Sequence, residues 1–180
     1  VEIMRKINKQ KGILFWITGL SGSGKSTMGK KIHKRINNLY GPTIMISGDN
    51  VRKIFGLKGH TKTQRLNITK KYCNFAKYIT DQKINLIFAV VAMFDQPRNW
   101  NRKNIKNYIE IYIKSNLKKI INQNKKKIYH TKKIKNIVGI DIKPEFPRRP
   151  DIVIQNNFKL TTEELSKKVI KKNQSIVVNR

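Results

Sequence analysis

The residues best suited to chemistry form the run "GLSGSGKS", Gly19–Ser26. This run fits the pattern G-x-x-x-x-G-K-[S/T] at every defined position, and it lies between an apolar run and a helical pattern. Glycines at these places let backbone N–H groups turn around an anion, and the following helix directs its positive end toward the same anion. The run therefore predicts a loop that binds the phosphates of a nucleotide.

Residues of this phosphate loop have separate expected roles. We expect Lys25 to reach the β and γ phosphates and to act in catalysis, and Ser26 to ligate Mg²⁺. The residues expected to bind the nucleotide, ATP or GTP, are Gly19, Ser21, Gly22, Ser23, Gly24, Lys25, Ser26 and Thr27. A glycine turn without a ligand is the alternative, and the strand and helix patterns on either side disfavour it.

A second polar group, Ser47–Arg52, follows the next apolar run. The carboxyl end of a parallel strand beside the phosphate loop would face the γ-phosphate. We therefore expect Asp49 to take a proton from an attacking hydroxyl or to hold Mg²⁺ through water, and Arg52 to hold an anionic acceptor. An aspartate that serves only as a turn residue is the alternative.

The elements that must position these residues read as strands alternating with helices. Met28, Ile32, Ile36 and Leu39 recur at helical spacing, as does the set that begins at Ile68. Short apolar runs predict buried parallel strands at Ile13–Thr18, Thr43–Ser47, Ile84–Met93, Tyr108–Ile113 and Asp151–Ile154. This alternation predicts an α/β fold of the P-loop nucleoside triphosphate hydrolase type, with a mostly parallel five-stranded sheet flanked by helices.

Two basic segments complete the predicted organisation. The Lys-rich run between Ser115 and Val138 predicts a mobile basic lid, and Thr161 with Glu164 predicts a capping box that opens a C-terminal helix. We expect a single domain over residues 1–180, with a core at about 13–156, the lid at about 115–138, and the C-terminal helix and basic tail at 159–180.

Composition limits the partners, disulfides and location expected for the chain. Lys and Arg number 40 against 10 Asp and Glu, a formal net charge of +30, which favours polyanionic partners, although an A/T-rich genome would also enrich Lys. The single cysteine, Cys73, excludes an internal disulfide and fits a buried helical position. Because no apolar run approaches the roughly 20 residues of a membrane span, we expect a cytoplasmic protein without membrane association.

The motifs "GLSGSGKST", "GDNVR", "IEIYI", "GID" and "PDIVI" resemble, in order and approximate spacing, those of the adenylylsulfate kinase family. The resemblance covers Ile13 to Asn156 and implies a kinase, usually a homodimer, that transfers the γ-phosphoryl group of ATP to the 3′-hydroxyl of adenylylsulfate. The resemblance implies that Asp49 is the catalytic base. The residues that it implies for the acceptor or the lid are Arg52, His60, Arg65, Lys126, Lys135 and Ile137.

Departures from the family pattern concentrate on the acceptor side. Where the family has its first strand-end carboxylate, this chain has Ser47. At the two positions where the family has aromatic rings that clamp the adenine, this chain has His60 and Ile137. The family's I-S-P-Y-R loop corresponds to the segment that begins at Val91. Further replacements are Ile68 for an asparagine and Gln123-Asn124 for an Arg-Asp pair.

These departures leave the acceptor open. The "MFD…NR" loop and "NIVGID" resemble a branch of the family found with capsule-polysaccharide genes, whose members phosphorylate a cytidine diphosphoramidate. A smaller pyrimidine needs less stacking area, which agrees with the altered clamp. A nucleotide binder that no longer transfers phosphate is a third alternative.

Two other classes of protein are alternatives to the kinase. A basic nucleic-acid-binding protein would fit the net charge of +30, but regularly interleaved aromatic residues are missing and the phosphate loop would have no purpose. A GTPase switch would carry an N-K-x-D motif, which the sequence lacks. The sequence therefore favours a small-molecule nucleotide substrate, with ATP and Mg²⁺, over nucleic acid.

Overall fold

The computed structural model describes residues 5–6, 11–123 and 135–178 of the chain. The strands are β1 (Arg5–Lys6), β2 (Ile13–Thr18), β3 (Thr43–Ser47), β4 (Asn85–Val90), β5 (Asn107–Lys114), β6 (Ile152–Gln155) and β7 (Val177–Val178). The helices are α1 (Lys25–Tyr40), α2 (Gly48–Ile54), α3 (Lys62–Asp81), α4 (Asp95–Asn104), α5 (Leu117–Asn122) and α6 (Thr162–Ile176). Strands thus alternate with helices along most of the chain.

Five of the strands form one parallel sheet in the order β3-β4-β2-β5-β6. This confirms the predicted parallel α/β sheet. Strand β2 lies in the middle, so the loop that follows it emerges where the strand order changes direction, the usual ligand site of such sheets. A short parallel pair, β1 with β7, was not predicted from the sequence.

The sheet is covered on both faces by helices. Helices α1 and α6 pack on one face with a core that includes Phe15 and Ile111, and α3 packs on the other around Trp16 and Phe88. Cys73 is buried in that second layer, as expected. The alternation of buried strands and amphipathic helices in the sequence thus produces a three-layer domain core.

Two details of the sequence-based prediction are wrong. The third predicted strand ends at Val90, not at Met93, because the Met93 amide turns back to the Val91 carbonyl at 2.6 Å. On α1, Leu39 is 40% exposed whereas Tyr40 is 8% exposed, since the helix phase at its last turn brings position 40 against the sheet.

A third apolar cluster lies at the carboxyl edge of the sheet. It joins Leu20 of the phosphate loop and Phe94 to Ile120 and Val138, which lie toward the two ends of the predicted lid. The lid's middle, including Lys126, lies outside the described residues. Within the part of the chain that the structure describes, no helix has the length and apolar character needed to cross a membrane.

Candidate active site

The phosphate loop is a compact turn between β2 and α1. Gly24 stands at the helix N-cap with φ 95°, in the left-handed region that favours glycine. A Cβ on Gly19 would lie 2.6 Å from the Ile113 carbonyl oxygen, so the loop also passes too close to β5 for a side chain. The first N–H groups of an α-helix have no intrahelical acceptor, and no side chain caps those of α1 at Gly24, so this helix end suits an anion.

The loop opens onto a cavity of about 410 Å³. Lys25, only 7% exposed, donates from Nζ to the Leu20 carbonyl at 2.7 Å, which keeps the ammonium group against the loop. Ser26 and Thr27 line the same cavity. Amide groups, an ammonium and hydroxyls converge here, and together they suit a phosphate chain.

Asp49 lines this cavity with the phosphate loop, as the strand-end argument predicted. It lies in the first turn of α2, which Ser47 caps: the Ser47 hydroxyl accepts from the Asn50 amide at 3.2 Å, and the Asn50 side chain accepts from the Ser47 amide at 3.3 Å. The serine that replaces the family's carboxylate therefore has a local structural role. Its reciprocal cap fixes the helix turn that carries Asp49.

Three predicted acceptor residues form a cationic cluster beside α2 and α3. Arg52 donates from Nη1 to the Gly59 carbonyl at 3.0 Å, and Arg65 donates from Nε to the His60 carbonyl at 2.8 Å. Burial, then Arg65, then Arg52 lower the pKa of His60. Burial and, next, Arg52 lower the pKa of Arg65. The mutual repulsion of the cations makes the cluster a site that an anion would stabilise.

The segment after the predicted lid approaches this cluster. Arg65 donates from Nη2 to the Asn136 carbonyl at 2.9 Å. Ile137 is the residue that follows this contact in the chain. The Ile137 side chain is 7% exposed, and its amide donates to the Asp141 carboxylate at 2.8 Å. Lys135 is exposed. Of the predicted acceptor residues that the structure describes, Arg52, His60 and Arg65 are brought together.

The altered loop after β4 is held from within the protein. Arg98, with a side chain only 4% exposed, pairs with Asp95 and lies 3.3 Å from Oε1 of Glu110, an ion pair without aligned hydrogen-bond geometry. Arg98 also donates to the Ala92 carbonyl at 3.2 Å and to the Glu145 carbonyl at 2.6 Å. Arg98 therefore fixes this loop and does not present its guanidinium to an acceptor.

Glu145 closes the other side of this loop. Its carboxylate accepts from the Asp95 amide at 2.7 Å and pairs with Lys62 at 3.3 Å, while its own amide donates to the Met93 carbonyl at 2.8 Å. These contacts join the beginning of α3, the loop after β4 and the segment after residue 142. This arrangement was not predictable from local sequence patterns, because the partners lie far apart in the chain.

A further part of the cavity wall was not predicted from the sequence. It is formed by the segment that follows β6, with side chains from Asn156, Phe158, Leu160, Thr161, Thr162 and Leu165. The rule that located Asp49 would have located Asn156, because this asparagine also follows a buried parallel strand. The capping box at Thr161 was predicted, and it is present at the beginning of α6.

A glycine-rich loop of the phosphate-binding type at the centre of a parallel sheet, with a carboxylate lining the same cavity, is the arrangement of a P-loop kinase. A family model described as adenylylsulphate kinase matches residues 11–155. The chain therefore belongs to the adenylylsulphate kinase family, a family of kinases that use ATP.

The names of two relatives give two different acceptors. The chain is 35% identical over 167 residues to the cytidine diphosphoramidate kinase of Campylobacter jejuni, which covers 91% of this chain and 98% of that one. It is 34% identical over 164 residues to the adenylyl-sulfate kinase of Clostridium kluyveri, which covers 87% of this chain and 81% of that one. This chain is accordingly an adenylylsulfate-kinase-like nucleotide kinase, a phosphotransferase.

The fold agrees with solved structures of the family. The structure of the Mycobacterium tuberculosis APS kinase in complex with AMPPNP and APS matches with a TM-score of 0.80, over 91% of this chain and 98% of that chain. The sequence identity of this pair is 22%, so the match shows a shared fold.

Proposed function

We propose that the chain transfers the γ-phosphoryl group of ATP to the 3′-hydroxyl of a nucleotide acceptor bound at the cationic cluster. The observation that carries this proposal is the single cavity that contains both the phosphate loop and Asp49. Asp49 accepts the proton of the attacking hydroxyl, and Lys25 stabilises the charge on the transferred group. Arg52, His60 and Arg65 hold the anionic groups of the acceptor.

The cavity also suits a magnesium ion. The Ser26 hydroxyl and the Asp49 carboxylate both line it, and Mg²⁺ prefers oxygen ligands of these kinds. Ser26 would ligate the ion directly, and water-mediated contact with the ion is the alternative role for Asp49. When bound, the ion neutralises part of the charge on the β and γ phosphates.

For the acceptor we propose a cytidine diphosphoramidate, with adenylylsulfate as the second candidate. The relative from Campylobacter jejuni supports the first, because it matches this chain at 35% identity over 98% of its length. The two clamp positions support it as well: His60 offers a small exposed ring, and Ile137 has no ring and is buried. Loss of one stacking face costs about 1–3 kcal/mol. Adenine loses more from this change than a smaller pyrimidine does.

The test is a comparison of the two acceptors with labelled ATP, with Lys25→Ala as the blank. We expect kcat/KM for cytidine diphosphoramidate to exceed that for adenylylsulfate by about tenfold or more, which corresponds to about 1.4 kcal/mol. His60→Phe, which restores a larger aromatic face, should narrow this ratio. An equal or reversed preference in the wild-type chain would overturn the choice of acceptor and leave the kinase standing.

The alternative of another class, nucleic-acid binding, has a separate test. A nucleic-acid binder loses affinity steeply with salt on any strand, whereas this kinase should turn over without a polynucleotide. The homodimer implied by the family, the single-domain division and a cytoplasmic location stay predictions. Light scattering on the purified chain measures the first of them.

A further inference from the structure

The carboxyl end of β6 carries a polar side chain that the proposed mechanism does not use. Asn156 is 9% exposed and lines the cavity beside the phosphate loop. Its backbone amide donates to the Lys114 carbonyl at 2.9 Å, which continues the pairing of β5 with β6 by one residue. Asn156 is therefore held on the rigid edge of the sheet.

Both ends of the Asn156 side chain are engaged. Nδ2 donates to the Ser23 carbonyl at 3.0 Å, and Oδ1 accepts from the Phe158 amide at 3.0 Å. Because the Phe158 N–H requires an acceptor, the oxygen must face Phe158 and the nitrogen must face Ser23. One side chain thus joins the phosphate loop to the segment that forms the other wall of the cavity.

The contact with Ser23 determines the direction of a backbone amide. The Ser23 carbonyl and the Gly24 N–H belong to one planar trans peptide, so they point in opposite directions. With the carbonyl held toward Asn156, the Gly24 N–H is turned the other way, away from Asn156. A Cβ on Gly24 would lie 3.3 Å from Nδ2 of Asn156, so the two residues approach closely.

We propose that Asn156 is a positioning residue for the phosphoryl donor. It fixes the Ser23–Gly24 peptide so that the Gly24 N–H faces the donor phosphates, and it sets the distance between the phosphate loop and the wall that begins at Phe158. This inference rests on the proposed function in one respect: the donor occupies the cavity of the phosphate loop.

Two variants keep the local turn and remove the contact. Asn156→Ser leaves a hydroxyl for the Phe158 amide but does not reach Ser23. Asn156→Asp also keeps an acceptor for Phe158 and places a second acceptor against the Ser23 carbonyl. The matched control is Asn157→Asp, because Asn157 is the neighbouring residue and its Oδ1 accepts from the Lys159 amide at 3.1 Å, a contact that aspartate preserves.

The experiment measures the affinity of the full chain for Mg²⁺·AMPPNP and for AMP by calorimetry, with acceptor KM and thermal unfolding alongside. We expect the dissociation constant for Mg²⁺·AMPPNP to rise about tenfold in Asn156→Asp and by a smaller factor in Asn156→Ser. AMP affinity, acceptor KM and the Asn157→Asp control should stay within about twofold of wild type.

Each result has a distinct meaning. Affinity for Mg²⁺·AMPPNP at the wild-type level in either folded variant would overturn the inference, as would an equal loss for AMP, since AMP lacks the phosphates at the loop. If Asn156→Asp does not fold, Asn156→Ser decides the question. A wild-type chain that binds no Mg²⁺·AMPPNP would instead overturn the proposed function.

Discussion

Replacing Arg98 by Met should lower the free energy of unfolding by about 3–5 kcal/mol, the usual cost of removing one partner from a buried ion pair. The side chains of Arg98 and Glu110 are 4% and 5% exposed, so neither charge is solvated. Without Arg98, Glu110 keeps its 2.9 Å contact with Arg102 but loses its buried partner. Met retains the apolar length of the side chain, which limits any cavity.

The thermal and pH signatures of this variant follow from the same contacts. About 2–4 °C per kcal/mol for a chain of this size gives a fall in Tm of roughly 6–20 °C. Burial raises the pKa of Glu110, and the charge of Arg98 is the largest single interaction that opposes this rise, followed by those with Arg102. In the variant the folded-state pKa rises further above the unfolded value of about 4.3. The free energy of unfolding lost in Arg98→Met should therefore be small near that unfolded pKa and grow as pH rises through the folded-state pKa of Glu110.

The assay is urea unfolding of Arg98→Met at several pH values. The matched control is Arg148→Met: Arg148 belongs to the same network, 4.0 Å from Asp95, but its side chain is 88% exposed. We expect the control to change stability by no more than about 0.5 kcal/mol. A loss below about 1 kcal/mol for Arg98→Met, or a loss that does not depend on pH, would refute the assignment of Arg98 as a buried structural cation.

Three further predictions concern the reaction. Lys25→Ala should reduce transfer by about 10²–10³-fold or more at an unchanged Tm, as measured with labelled ATP, and unchanged turnover would remove the loop from the mechanism. Asp49→Asn should reduce kcat by about 10²–10⁴-fold with little change in ATP affinity, whereas a defect confined to ATP binding would reassign Asp49 to the metal. Because Arg65 and Arg52 add to burial in lowering the pKa of His60, an anionic acceptor should raise that pKa again. Acceptor KM should then fall in the wild type as pH drops toward the lowered pKa of His60, but not in His60→Asn, and parallel pH profiles would contradict this.

Much of the fold follows from local patterns. Buried apolar runs predicted the five strands of the sheet, and the capping box at Thr161 predicted the beginning of α6. These features depend on residues a few positions apart, so they can be read directly. The prediction of Leu39 as buried was wrong because one residue at the end of a helix turns the side chain by about 100°.

The residues of the candidate site also divide into those that local patterns predict and those that they do not. The phosphate loop was predicted because it matches a sequence motif, and Asp49 was predicted because it follows the end of a strand. The burial of Arg98 was not predictable, since its partners Glu110 and Glu145 lie 12 and 47 positions away and meet it only when β5 and the later segment pack together. Asn156 could have been predicted from its position after a strand, but an asparagine carries no motif of its own.

The cationic cluster and the cavity of the phosphate loop are built from separate stretches of chain, and this separation has an evolutionary consequence. Arg52, His60 and Arg65 come from the stretch around α2 and the start of α3, whereas the cavity wall is built largely by the phosphate loop and the segment after β6. On the proposed assignment, selection can alter which nucleotide receives the phosphoryl group through positions outside the phosphate loop while ATP handling is inherited intact. A lineage could thereby acquire a new product without rebuilding its catalyst.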